Sequence, residues 1–87
     1  MLSQNKNLRS LALPHKNKNQ SLFDWLYRSL RHAIISGQIK LGASLPSTRQ
    51  LATEYKISRG TVVIVYEQLI SEGYIQSQRG SRTIVSA

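Results

Sequence analysis

Residues 47–72, STRQLATEYKISRGTVVIVYEQLISE, decide how the whole chain is read. They divide into two short helices joined by a tight turn. The first begins at Ser47. Ser47 and Gln50 have the S-x-x-Q spacing of a capping box, in which hydroxyl and amide each satisfy a free end amide. Pro46 stands just before and prolongs no helix from upstream. Leu51, Ala52 and Tyr55 make a narrow apolar stripe, and Lys56 and Ile57 make the turn. Ser58 is placed to cap the second helix. Val62, Val65, Tyr66, Leu69 and Ile70 then recur at helical spacing on one face, and Gly73 stands where a left-handed C-cap residue is expected.

One local signal opposes this reading. Val62 to Tyr66 is a β-branched and aromatic run, which by itself suits a strand. The cap before it, the continuing 3.6-residue period and the glycine stop favour helix. Charge is polarised along the same helix. Arg59, Gly60 and Thr61 open it without an acid, and Glu67 and Glu72 come only later. A recognition helix needs that order, because its N-terminal end enters the major groove, where a carboxylate meets phosphate repulsion. An ordinary core helix with a solvated start has the same pattern, and the pattern alone does not separate the two.

Working outward, residues 21–36 form the most regular helix. Ser21 caps it, and Asp24 lies in its first turn, where a negative charge suits the helix dipole. Leu22, Trp25, Leu26, Leu30, Ala33 and Ile34 share one apolar face, best read as core packing; Arg28, Arg31 and His32 lie off it, and Gly37 ends it. Residues 38–46 form a loop with a turn at Gly42 and room for one short strand at residues 43–45. After Gly73 the period changes. Residues 74–78, a turn at Arg79, Gly80 and Ser81, and residues 82–85 read as strand, turn and strand. A lone hairpin is marginal in water, so this one must pack on the helices. The fold class is mostly α with a small β-hairpin: three helices plus a wing, a winged helix-turn-helix.

Residues 1–20 stand apart. They carry Lys6, Arg9, Lys16 and Lys18 and no acid, are rich in Asn and Gln, and keep no period. They read as a largely disordered basic tail, with residues 21–87 as the folded domain. The tail either adds phosphate contacts or is a solvated leader without a role. Leu8, Leu11 and Leu13 are candidates for docking.

The whole composition agrees. A chain of 87 residues holds one small domain. Twelve Lys and Arg against four Asp and Glu make a net charge of +8, which favours a polyanion: nucleic acid first, an anionic membrane surface second. There is no cysteine, which excludes disulfides and thiolate metal sites and fits a reducing compartment. No apolar run is long enough to span a bilayer or to serve as a signal-peptide core. With four carboxylates and two histidines, no Gly-rich phosphate loop and no nucleophile elbow, the chain is not expected to be an enzyme. His32 has no partner at metal-ligand spacing.

The segments ISGQIKLGASLPSTRQLA, ISRGTV, LISEGYI and RGSRTIV stand in this order between residues 22 and 85. Together they closely resemble the DNA-binding domain of the GntR family of bacterial transcription regulators. VYEQLISEGY is most similar to the MocR subgroup, in which a large domain resembling a pyridoxal-phosphate aminotransferase follows. The resemblance therefore implies an isolated N-terminal domain with no cofactor of its own, any cofactor sensing lying in that further domain. It also implies sequence-specific binding of double-stranded DNA for transcription regulation, in the bacterial cytoplasm at the nucleoid. The helix of residues 58–72 would lie in the major groove and the wing on the backbone or minor groove. A homodimer would form mainly through a C-terminal domain or on DNA.

Residue by residue, the resemblance assigns Arg49 to a phosphate or groove-edge base, and Arg59 to a fork onto guanine. Ser58 and Thr61 would hold phosphates beside Gly60, and Arg79, Gly80 and Ser81 would form the wing tip. Two positions depart from the family pattern. Val63 stands where many members carry a second Arg, leaving Val63 or Ile64 to meet a thymine methyl. Arg82 replaces the second Gly of the wing, adding a phosphate contact or altering the turn. Two other classes compete: a winged-helix protein-interaction module, and a non-specific or RNA-binding domain. Arg59 and Thr61 at the helix start speak against the first. Against RNA stands the placing of Trp25, Tyr55 and Tyr66 on core faces, with only Tyr27 off them.

Overall fold

A computed structural model describes residues 13–78 and 82–86. The expected wing-tip residues Arg79, Gly80 and Ser81, and residues 1–12 of the leader, lie outside them. Six elements follow one another: helix α1 (Leu22–Ile35), strand β1 (Ser44–Leu45), helices α2 (Thr48–Tyr55) and α3 (Arg59–Ser71), and strands β2 (Ile75–Gln78) and β3 (Arg82–Val85).

Each helix begins where its local chemistry dictates. The hydroxyl of Ser21 accepts from the Asp24 amide at the start of α1. The full capping box forms on α2, Ser47 Oγ accepting from Gln50 N and Gln50 Oε1 from Ser47 N, each at 3.0 Å. Ser58 Oγ accepts from Gly60 N at 3.1 Å to open α3. The turn between α2 and α3 is made by Lys56, whose φ of 56° is left-handed, and by the Ile57 amide, which donates back to Ala52 O. Val62 to Tyr66 is helical, against its strand propensity. Val62, Val65 and Tyr66 are buried there, and burying one face of α3 outweighs a preference of a few tenths of a kcal/mol per residue.

The core lies where the three helices and the sheet meet. Leu26, Leu30, Leu51, Val62, Val65 and Leu69 are completely shielded, with Ile75 and Val85 closing the sheet side. The expected α1 stripe is the buried one, Leu22 being half-buried at its start. Buried Tyr66 is tied into this core by its hydroxyl, which donates to Pro46 O at 2.7 Å. Burial pushes the Tyr66 phenol up, so it remains a protonated donor.

The sheet is larger than a hairpin. Its strand order is β1-β3-β2, antiparallel throughout, with Ser44 opposite Ile84 and Ile75 opposite Val85. Residues 44–45 cover the edge of β3 that the hairpin alone leaves open, and Gly42 N donates to Val85 O beside them. Two residues make a strand here because β3 is already in place.

The leader also differs from expectation. Its last part, residues 13–20, lies on the helices. Leu13 packs against the core and its amide donates to the Tyr55 hydroxyl. Pro14 O accepts from Trp25 Nε1 at 2.7 Å, and the Trp25 ring meets Tyr55 edge-on with centroids 5.6 Å apart. A buried indole N–H requires an acceptor, and the Pro14 carbonyl supplies it. The folded unit therefore extends to Leu13 at least. No helix among the described residues is long and apolar enough to cross a membrane.

Two outcomes test this packing. Leu51→Ala removes a fully buried side chain and is expected to destabilise the domain by about 2–5 kcal/mol, measured by urea unfolding. Deleting residues 1–14 is expected to shift Trp25 fluorescence to the red and lower the melting temperature. An unchanged emission maximum would show that the leader does not shield the indole.

Candidate nucleic-acid interface

The α2–turn–α3 unit presents the N-termini of two helices in sequence. Serine caps leave their first amides directed outward, and the helix dipoles add partial positive charge there. No acid lies in the first turn of either helix. Within this frame Arg59 is braced: its Nε donates to Thr48 Oγ1 at 3.3 Å, across the turn. Its two terminal nitrogens make no hydrogen bond to any described residue, so the end of the guanidinium stays available for a fork. Thr48 was not singled out from the sequence. Its role depends on two helix starts meeting in space, and no spacing rule within one helix reveals that.

Ser58, Arg59 and Gly60 are exposed; Thr61 and Val63 are half-buried. The structure thus brings the expected α3 residues to one helix end. Ser58 Oγ accepts from Gly60 N as the cap, and its O–H is left to donate to a phosphate. Arg49, in the first turn of α2, is exposed and unengaged among the described residues. Arg82 is reached by a different route. It opens β3 opposite Gln78, and a terminal nitrogen donates to Ser44 Oγ at 2.8 Å, laying the side chain toward β1. Ser44 is a second positioning residue visible only once β1 is paired.

Two of the acids are engaged by neighbouring side chains. Glu72 caps the far end of α3, about 20 Å from Arg59 at 1.5 Å per residue. The Tyr27 hydroxyl first, then the Gln68 amide, hold its carboxyl below the usual range. Asp24 is likewise lowered, chiefly by its hydrogen bond from Arg28 at 2.7 Å and then by Gln20. Both carboxylates stay ionised, Asp24 paired with Arg28 and Glu72 held by the neutral Tyr27 hydroxyl and Gln68 amide.

The described residues contain no group of three or more His, Asp or Glu arranged to hold a metal ion. Pyridoxal phosphate needs a shielded amine for its imine, and no lysine among the described residues is shielded. Lys18, Lys40 and Lys56 are exposed, and the exposed Lys16 donates to the carbonyls of Asn17 and Gln20.

With this geometry in hand, comparison with known proteins is direct. Residues 23–85 match the family described as bacterial regulatory proteins, gntR family. The chain is 43% identical over 61 residues to the probable rhizopine catabolism regulatory protein MocR of Rhizobium meliloti. That match covers 70% of this chain and 12% of the relative. It is 41% identical over 61 residues to the pyridoxine biosynthesis transcriptional regulator PdxR of Corynebacterium glutamicum, covering 70% of this chain and 14% of the relative. The chain thus spans only a small part of the length of these relatives.

Among solved structures, the GntR-family transcription factor YtrA from Sulfolobus acidocaldarius superposes with a TM-score of 0.73 at 29% identity, over 83% of this chain and 74% of that one. The AraR DNA-binding domain, solved with operator ORE1, superposes with a TM-score of 0.71 at 20% identity, over 88% and 95% of the two chains, and shares the fold. A three-helix core, a small antiparallel sheet and a family match over residues 23–85 lead to one conclusion: this chain belongs to the GntR family of bacterial regulatory proteins.

Proposed function

We propose that this domain binds double-stranded DNA sequence-specifically and thereby regulates transcription in the bacterial cytoplasm. The observation that carries the reading is the start of α3. Arg59 donates to Thr48 through Nε while its terminal nitrogens bond no described residue, at a helix start whose first turn has no acid. A protein-interaction module has no need of a guanidinium so braced. In this reading the first turn of α3 enters the major groove, Arg59 forks onto guanine O6 and N7, and Gly60 lets the backbone approach the base edges. Thr61 and the amides at the α3 start face phosphate. Arg49 and Arg82 add backbone contacts on either side, and Arg79, Gly80 and Ser81, outside the described residues, are assigned to the backbone or minor groove. The relatives support this by name: PdxR is called a transcriptional regulator, and the AraR domain was solved on an operator.

The domain acts on paired half-sites as a dimer whose contacts come mainly from DNA or from a further domain. Where a MocR-like aminotransferase domain accompanies it, cofactor sensing belongs to that domain. Size-exclusion chromatography of this chain alone should give a monomer or a weak dimer; a tight DNA-free dimer would contradict the assignment.

The direct test is fluorescence anisotropy on a duplex selected from a random library against a scrambled one, across a salt series. Arg59→Ala should remove about 1–3 kcal/mol of the preference. Arg49→Ala should weaken both duplexes alike and reduce the slope of log affinity against log salt by about 1. Equal binding of both duplexes by the unaltered domain, with only a steep salt slope, would make it a non-specific binder.

A further inference from the structure

The open face of α3 changes character after its first turn. Gly60, Ile64, Glu67 and Ser71 recur at i, i+4, i+7 and i+11, and all four are exposed. Ile64 is the most exposed large apolar residue of the helix, 56% open, whereas its neighbour Val63 is half-buried. One turn before Ile64 stands Gly60. A β-carbon there would meet only Ser58 Oγ at 3.4 Å, and with no side chain at Gly60 the helix surface one turn before Ile64 is bare backbone. Ile64 is β-branched, and in a helix such a side chain is held close to one rotamer; its methyl groups are therefore already ordered.

We propose that Ile64 is a specificity-determining residue that reads the C5-methyl group of a thymine, selecting an A·T pair next to the base pair forked by Arg59. This rests on the DNA-binding reading above and adds to it. The major-groove edge of a base pair offers donors and acceptors at every position but an apolar group only at thymine. An exposed, ordered isoleucine with no hydrogen-bonding capacity gains nothing from the other three edges. From the sequence, Val63 and Ile64 were equal candidates. Burial separates them, since Val63 is half-buried in packing and more than half of the Ile64 surface is open.

The test replaces each thymine of the selected duplex by uracil, one at a time, which deletes the methyl group and keeps every hydrogen-bonding atom. One position is expected to weaken binding of the unaltered domain about three- to fivefold, the size of one buried methyl group. Ile64→Ala should bind that duplex more weakly and be indifferent to uracil at that position. Ile64→Val should retain the sensitivity. Because Ile64 is exposed, Ile64→Ala should melt within a few degrees of the unaltered domain, so weaker binding is not unfolding.

If no uracil position is felt by the unaltered domain and ignored by Ile64→Ala, the assignment is overturned. It is equally overturned if Val63→Ala, but not Ile64→Ala, abolishes the sensitivity. Loss of preference in Arg59→Ala without any uracil effect would leave the DNA-binding reading standing and sink only this one. Failure to select any preferred duplex would sink both.

Discussion

The buried hydroxyl of Tyr66 donating to the carbonyl of Pro46 is the contact on which the placing of the interface depends. It joins the middle of α3 to the residue just before the α2 cap. It also satisfies a carbonyl that no helix or strand partner serves, and an unpaired carbonyl in a dry interior costs about 1–3 kcal/mol. With the ends of α2 joined to α3 through Tyr66 and through the left-handed turn at Lys56, the two helix starts cannot drift apart. Thr48 then stands within reach of Arg59, and the guanidinium is aimed rather than free to sweep. Preorganisation of this kind lowers the entropy lost when a long side chain is ordered on a ligand.

The same economy runs through the rest of the molecule. In a domain this small much of the surface stays exposed, so each core contact weighs heavily. Residues 13–14 add to that core by covering Trp25 and supplying its indole with an acceptor. The two residues of β1 do the same for the sheet, closing the outer edge of β3 and holding Arg82 through Ser44. In both cases a segment with little structure of its own is ordered by a partner already present, and β1 also fixes where Arg82 lies.

On α3 the division between packing and recognition follows from the helical period. Val62, Val65, Tyr66 and Leu69 face inward, and Gly60, Ile64 and Glu67 face outward, with Val63 at the boundary. The sequence therefore already sorted most of this helix into two faces. It left the boundary residues undecided, because a period shows which way a side chain points but not how much of it neighbouring elements cover.

What the sequence determined by itself is what neighbours along the chain can enforce. The serine caps, the capping box of Ser47 and Gln50, the turn at Lys56 and the glycine after Glu72 act over a few residues, and all of these helix limits were legible. So were the core stripe of α1 and the basic start of α3, since periodicity and charge order are linear properties. The tertiary structure alone decided the rest. The hydrogen bonds from Arg59 to Thr48 and from Arg82 to Ser44, the pairing of the expected short strand with β3 and the docking of Leu13 and Pro14 on Trp25 and Tyr55 all join residues distant in sequence. Such contacts carry no local signature, because each partner is polar or apolar for reasons equally served by water or by another neighbour. Only the packed core brings them together, and only then does one partner become the best available.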